Sequence, residues 1–221
     1  MNRLFGNRGG TLRRVVLVVV FALCSLRVMA QQMHSLHEHD ADVPLVRTEW
    51  GVGIGAVYSM LDHQSEYIAL NPRIGYEGRL HMGILLGSYF AIEGEICYSG
   101  ASIDAHHAPL DVKRRVRTTT IDVPVLLSLR LWSNRLQFDL GPTFTVRSSA
   151  EYTINSEVEF FGPVYPTWNL QAGVGVRLFR NLMLDVRYIY PLADTHNHFV
   201  DGASEFKMRS ERVAAGLTLI F

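Results

Sequence analysis

Charged residues able to do chemistry recur at short, even spacings along this chain: Glu77 and Arg79, Glu93 and Glu95, Asp185 and Arg187. Asp122, Arg130, Asp139, Arg177 and Arg212 fall in segments of the same alternating kind, with His81, Gln137, Asn169 and Gln171 among them. A spacing of two places both members of a pair on one face of an extended strand. Facing a channel, such groups select ions; facing each other, they neutralise and fill the space between them. Six of the eleven are carboxylates and five are arginines, which favours mutual pairing. The cation is almost always arginine, since the whole chain has two lysines, Lys113 and Lys207. A guanidinium fork binds carboxylates two bonds at a time, which suits a confined interior.

Other constellations are weaker. His34, His37 and His39, with Glu38 and Asp40, have ligand types suited to Zn²⁺ or Cu²⁺, but an aperiodic polar arm supplies neither fixed geometry nor supporting hydrogen bonds. No metal or other cofactor is expected. Ser99, Ser102, Asp104, His106 and His107, with Asp194, His196 and His198, are the residue types of a lipid acyl hydrolase or transferase. Nothing in their spacing defines a nucleophile, its base and an oxyanion site, so no catalytic residue is assigned and a non-enzyme is expected. Lys113, Arg114, Arg115 and Arg117 form a basic run suited to the phosphates of lipopolysaccharide. Cys97 is read as filling space.

Positioning these groups begins with the leader. Met1 to Ala30 has a positive start (Arg3, Arg8, Arg13, Arg14), a nine-residue apolar stretch from Val15 to Leu23, and small residues before Gln31. That is a cleaved signal peptide; nine residues are well short of the roughly 20 that cross a bilayer as a helix. Its removal takes Cys24 and leaves Cys97 alone, so no internal disulfide is expected. The 221 residues carry 21 basic and 21 acidic side chains, and without the leader 16 basic face 21 acidic. An acidic balance gives no reason to expect nucleic acid as a partner. Residues 31–48 read as a flexible, His-rich periplasmic arm.

From residue 49 to 221 the period is two. Trp50, Val52, Ile54, Ala56 and Tyr58 alternate with glycines and Val57; Leu182, Leu184, Val186, Tyr188 and Tyr190 alternate with Met183, Asp185, Arg187 and Ile189. Eight such segments are predicted, at 49–60, 73–85, 88–100, 117–131, 135–148, 167–179, 182–191 and 210–221. Two- or three-residue turns alternate with long polar loops around 61–72, 101–116, 149–166 and 192–209, the pattern of an antiparallel up-and-down meander.

A lipocalin-like barrel or a sandwich shares that pattern, so the decision rests on which face is inside. Segments of about ten residues or more suit tilted membrane strands. Aromatics gather at the segment ends, Trp50 and Trp132 at one and Tyr58, Tyr98, Trp168, Tyr188 and Tyr190 at the other, as in interfacial girdles. An eight-stranded transmembrane barrel satisfies every backbone group without a free edge. Its lumen is barely wider than its side chains, so the charges should plug it. Short turns are then periplasmic and the long loops extracellular.

The chain resembles the small outer-membrane β-barrels of the Bacteroidota, the porin-family or PorT-like barrel domain. The resemblance lies in IGYEGRLHMGILLGSYFAIEGEICYSG (74–100), IDVPVLLSLRL (121–131), FDLGP (138–142), GVGVRLFRNLMLDVRYIYPL (173–192) and RVAAGLTLIF (212–221). It covers nearly everything from Trp50 onward. It implies an integral outer-membrane protein in contact with lipid and lipopolysaccharide. Phe221, with Leu217 and Leu219 on its face, is similar to the signal read by the barrel-assembly machinery. PorT-like members include a component of protein export across the outer membrane, which implies secretion-machinery partners as an alternative role.

Overall fold

The computed structural model describes residues 46–63, 67–87, 89–132, 134–154, 157–199 and 204–221. The leader expected at 1–30 and residues 31–45 of the arm lie outside the described residues. The chain divides into two units, 1–48 and 49–221, and the sheet belongs to the second, with only the start of its first strand before residue 49.

In chain order the strands are β1 (Val46–His63), β2 (Ile68–Pro72), β3 (Gly75–Leu86), β4 (Phe90–His107), β5 (Val112–Leu131), β6 (Leu136–Ile154), β7 (Glu157–Phe160), β8 (Trp168–Phe179), β9 (Leu182–Pro191), β10 (Thr195–Phe199) and β11 (Ser204–Ile220). A 3₁₀ turn, Ala108–Leu110, links β4 to β5. Eight of them follow one another as β1-β3-β4-β5-β6-β8-β9-β11, and pairing of β11 with β1 closes the ring. The closing register runs antiparallel from Gly51 opposite Ile220 to His63 opposite Met208. At its foot, the Phe221 amide donates to the Trp50 carbonyl at 2.7 Å, so both ends of the barrel's chain lie at the same rim.

That rim carries the tight turns. Gly87 (φ 65°) turns β3 into β4, and Trp132 (φ 50°) and Asn134 (φ 65°) turn β5 into β6. Such left-handed backbone suits glycine and asparagine and is a local cost at Trp132. Between β8 and β9, Asn181 caps the neighbouring strand by donating Nδ2 to the Ile220 carbonyl at 2.9 Å.

At the other rim the structure corrects the expected loops. Much of 61–72, 101–116, 149–166 and 192–209 is strand, because β1, β4, β5, β6 and β11 run on past the girdle. β2 pairs with β4, β7 with β6, and β10 with β11, thickening this end. The alternation continues there with its polarity reversed. On β5, Lys113, Arg115 and Arg117 point outward while Val116, Thr118 and Thr120 point inward; lower down, Val125, Leu127 and Leu129 point outward while Asp122, Ser128 and Arg130 point inward. A bulge beside Ile121 and Asp122 shifts the β6 register by one, turning Arg147 outward and Ala150 and Tyr152 inward.

The outward surface below the girdle is strongly apolar. Ile54 is 73% exposed, with Leu80, Val125, Leu127, Leu140, Val186 and Leu217 also open. A water-soluble monomer rarely shows a contiguous apolar patch above a few hundred Å². Here the apolar faces of neighbouring ring strands join into a continuous band, which belongs in lipid.

Candidate functional site

Every one of the eight ring strands sends a charged group inward, and together they fill the lower and middle lumen. At mid-height, Arg187 (β9) reaches Glu77 (β3), Glu95 (β4) at 3.2 Å and Asp185 at 3.0 Å. Arg79 (β3) forks onto both oxygens of Asp185. This fork is possible because Gly53 and Gly216 lie beneath it: a Cβ at Gly216 would meet Arg79 Nη2 at 2.5 Å, and one at Gly53 would meet Arg79 Nε at 2.6 Å. Arg212 (β11) pairs with Asp122 (β5), which also accepts from Thr145 Oγ1 at 2.6 Å.

Nearer the tight turns, Arg130 donates to Glu49 and, at 2.7 Å, to Glu93. Arg177, half-buried at this mouth, reaches Glu49 at 3.5 Å. Gln137 Nε2 donates to Glu93 and to Asp139, and Ser128 donates to Asp139. The His81 ring lies between Glu49 at 3.7 Å and Glu95 at 3.4 Å. Glu49, His81 and Glu93 have the types and proximity of a cation site. Arg130 Nη2 lies on both of their carboxylates, so in this structure the cluster is a node of ion pairs.

All eleven charged residues read from the sequence as lumen groups, from Glu77 to Arg212, thus face the interior, and ten of them are buried, Arg177 being the exception. Glu49 is the member that sequence reasoning missed. It stands two residues before Gly51 on the inward register, at the first position of the predicted strand 49–60, where the inward row continues with Gly51, Gly53 and Gly55 and no second charge marks the face.

Toward the opposite rim the interior turns apolar, which the sequence reading did not foresee. Ile68, Ile103, Val116, Tyr152, Phe199, Phe206 and Met208 form a core, into which the β7–β8 connection folds Phe161, Val164 and Tyr165. This is a connection tied down at both ends. Phe161 donates to the Ala150 carbonyl and accepts from the His198 amide, Tyr165 N donates to Ser148 Oγ at 3.1 Å, and Asn169 holds the Pro166 carbonyl at 3.0 Å. Tyr165 joins the two layers: its hydroxyl bonds Ser59 at 2.6 Å and its ring centroid lies 4.2 Å from the Arg212 guanidinium carbon.

The catalytic types do not assemble. Ser99 and His107 share the inward face of β4 eight residues apart, about 27 Å along a strand. Ser102 lies on the other face; Asp104 is held by Arg73 and Arg115, and His106 by Asp111. His198 lies near Glu205 at 3.4 Å. Cys97 is buried beside Glu95 and Arg187. His34, His37 and His39 lie outside the described residues.

The basic run divides. Lys113, Arg115 and Arg117 face outward, whereas alternation sets Arg114 on the face of Val112 and Val116, half-buried. Arg73 and then Arg115, by hydrogen bonding, hold the exposed Asp104 carboxyl below its ordinary pKa. Phe221 is exposed beside Leu219 at the tight-turn rim.

A closed ring with an apolar outer belt and a charged interior defines an integral membrane β-barrel. The chain belongs to the outer membrane protein beta-barrel domain family, whose profile matches residues 29–197, and the family places it in the outer membrane. Comparison with curated proteins gives no match. Among solved structures, it is similar to Neisserial surface protein A (TM-score 0.51, 15% identity, covering 77% of this chain and 96% of that one). It is similar also to OprG of Pseudomonas aeruginosa (0.52, 12% identity, covering 79% and 95%). Ail, the attachment invasion locus protein of Yersinia pestis, solved with the heparin analogue sucrose octasulfate, matches with a TM-score of 0.51 at 13% identity, covering 79% and 99%. At these identities the likeness is one of fold.

Proposed function

We propose that this protein is a non-conducting, non-enzymatic barrel of the outer membrane, exported by the leader at 1–30, whose interactions take place on its outer surface and extracellular rim. The observation that carries this is the double filling of the lumen. Ion pairs cross the lower and middle interior, and above them Phe161, Val164 and Tyr165 complete an apolar core. An eight-stranded ring leaves no width for a path around both. The tight-turn rim, with both barrel termini, is periplasmic, and the extended β4–β5 and β6–β7 region is outside. Lipid and lipopolysaccharide are then its standing partners, and the barrel-assembly machinery, reading Phe221, its partner during insertion.

Purified barrel in planar bilayers should show no stable large-channel current. Steady high-conductance openings would overturn the reading. Segments 74–100 and 121–131 support placing the chain with the PorT-like barrels of the Bacteroidota, for which an accessory role in protein export is implied. Loss of secreted proteins from the medium of a deletion strain is the result expected of that role; an unchanged secretome would dismiss it.

A further inference from the structure

The outward face of β4, β5 and β6 carries a groove of about 690 Å³ immediately above the apolar belt. Its geometry follows from cross-strand register. At the lower edge, Tyr98, Ile121 and Arg147 are partners in one row. The next row outward is Gly100, Thr119 and Ser149; the Tyr76 ring of β3 lies over Gly100, while the short side chains of Thr119 and Ser149 line the recess. The row beyond holds Ser102, Arg117 and Glu151, and Arg115 lies one row further. Two rows span roughly 14 Å of strand, which the side chains of Arg117 and Arg147 can bridge by leaning toward each other.

Two of the groove's three arginines make no ion pair with the described residues. Among the described residues, Arg115 is ion-paired with Asp104 at 3.2 Å, whereas neither Arg117 nor Arg147 is in any ion pair. Glu151, at the outer edge, accepts from Ser149 Oγ at 3.0 Å. The floor contrasts with this: Tyr98 is an exposed ring and Ile121 continues downward into Val123, Val125 and Leu127.

We infer that this groove binds a phosphorylated glycolipid of the outer leaflet, the lipid A part of lipopolysaccharide. Arg117 and Arg147 hold a phosphate between them by charge-assisted hydrogen bonds, and acyl chains run down past Tyr98 and Ile121. Guanidinium forks match phosphate oxygens geometrically. Height decides in favour of a lipid over a soluble polyanion. A phosphate in this groove sits directly above an apolar strand face, where a headgroup's own acyl chains need such a surface. The inference rests on the outer-membrane orientation proposed above and replaces the contiguous basic run with a three-strand site: Arg114 leaves it, and Arg147, remote in sequence, enters.

The test uses the folded full-length barrel in detergent, titrated with bis-phosphorylated lipid A, dephosphorylated lipid A and sucrose octasulfate, with native mass spectrometry as readout. Wild type should prefer bis-phosphorylated over dephosphorylated lipid A by at least tenfold, and Arg117→Gln/Arg147→Gln should abolish that preference. Lys113→Gln/Lys207→Gln, which removes equal charge elsewhere, should keep it. Heat-modifiable gel migration checks that each variant is folded, and Arg117→Lys/Arg147→Lys, which keeps charge and bulk, should retain partial preference if the double glutamine variant fails to fold. Equal affinity for both lipid A forms, or a double variant that binds like wild type, overturns the site. Tighter binding of sucrose octasulfate than of lipid A, lost in the same variant, overturns the lipid assignment in favour of a soluble polyanion. A surface tag at the 3₁₀ turn separates the underlying orientation from the site: if it is accessible only after permeabilisation, orientation fails even where phosphate binding holds.

Discussion

Arg187 is the side chain on which the lumen network most depends. It is 3% exposed and is the common partner of Glu77, Glu95 and Asp185, carboxylates from three strands. Replacing it with methionine keeps much of the volume and leaves those carboxylates facing one another. Arg79 continues to neutralise Asp185 and lies 3.9 Å from Glu95, so Glu77 loses most. Removing one partner of a buried ion pair costs about 3–5 kcal/mol, because the remaining charge is left uncompensated. We expect Arg187→Met to lower unfolding stability by about 4 kcal/mol. Arg187→Lys retains charge but loses the fork, and hydrogen bonds to charged groups are each worth about 1.5–3 kcal/mol, so it should cost roughly 2 kcal/mol. Arg187→Met with Glu77→Met should cost less than the two single changes added together, since the pair is removed whole. Denaturant titration of barrels refolded into lipid vesicles, followed through Trp50, Trp132 and Trp168, measures all of these. A loss below about 1 kcal/mol for Arg187→Met would mean that water already solvates the three carboxylates. The lumen would then be a wet passage, and the conductance argument would fall with it.

Other consequences are simpler to state. Leu217→Arg, on the lipid face, should cost about 2–4 kcal/mol near the bilayer midplane, whereas Thr218→Ser, on the inner face, should be nearly neutral by the same vesicle titration. Gly216→Ala should cost about 1–3 kcal/mol through overpacking, because its methyl displaces Arg79 from Asp185. Phe161→Ala empties part of the apolar cap and should cost about 3–5 kcal/mol, yet leave planar bilayers silent, because the ion pairs below it persist. An epitope inserted after Leu110, in the exposed 3₁₀ turn, should be labelled on intact cells; labelling only after permeabilisation would invert the topology.

The membrane-spanning part of the fold was legible because its two faces differ so sharply. Leu182 to Tyr190 shows an apolar row and a charged row at a spacing of two, and the structure sets them on opposite sides of β9. The lumen residues were legible for the same reason, except Glu49, which opens the predicted strand 49–60 on a row that continues in glycines. What the sequence concealed was the outer end. Residues 101–116 and 149–154 read as loop because their outward positions are Ser, Asp, His, Arg and Glu, while Ile103, Ala105, Val116, Ala150 and Tyr152 are too sparse to suggest a core. Only the ring, by bringing four other segments alongside, gives those five side chains something to pack against. Arg147 was concealed differently. A one-residue bulge beside Ile121 decides which way it points, and a bulge leaves no mark in a pattern of alternate residues.

The reversal of polarity along single strands carries the final argument. Below the girdle the strand exteriors meet hydrocarbon and so are apolar, and the interior, cut off from both lipid and bulk water, balances its polar groups pairwise. Above it the exteriors meet water and carry charge, and the interior is free to be an ordinary hydrophobic core. The change occurs on β5 between Arg117 and Ile121 and on β6 between Arg147 and Phe144, one row lower in the register because Arg147 is paired with Ile121. Two kinds of filling meet where the Tyr165 ring lies against Arg212, whose partner Asp122 adjoins Ile121 at the exterior change on β5. A barrel built this way has little interior left for a ligand. Its chemistry has to be sought at that same boundary on the outside, where cations, a recess and an apolar floor coincide.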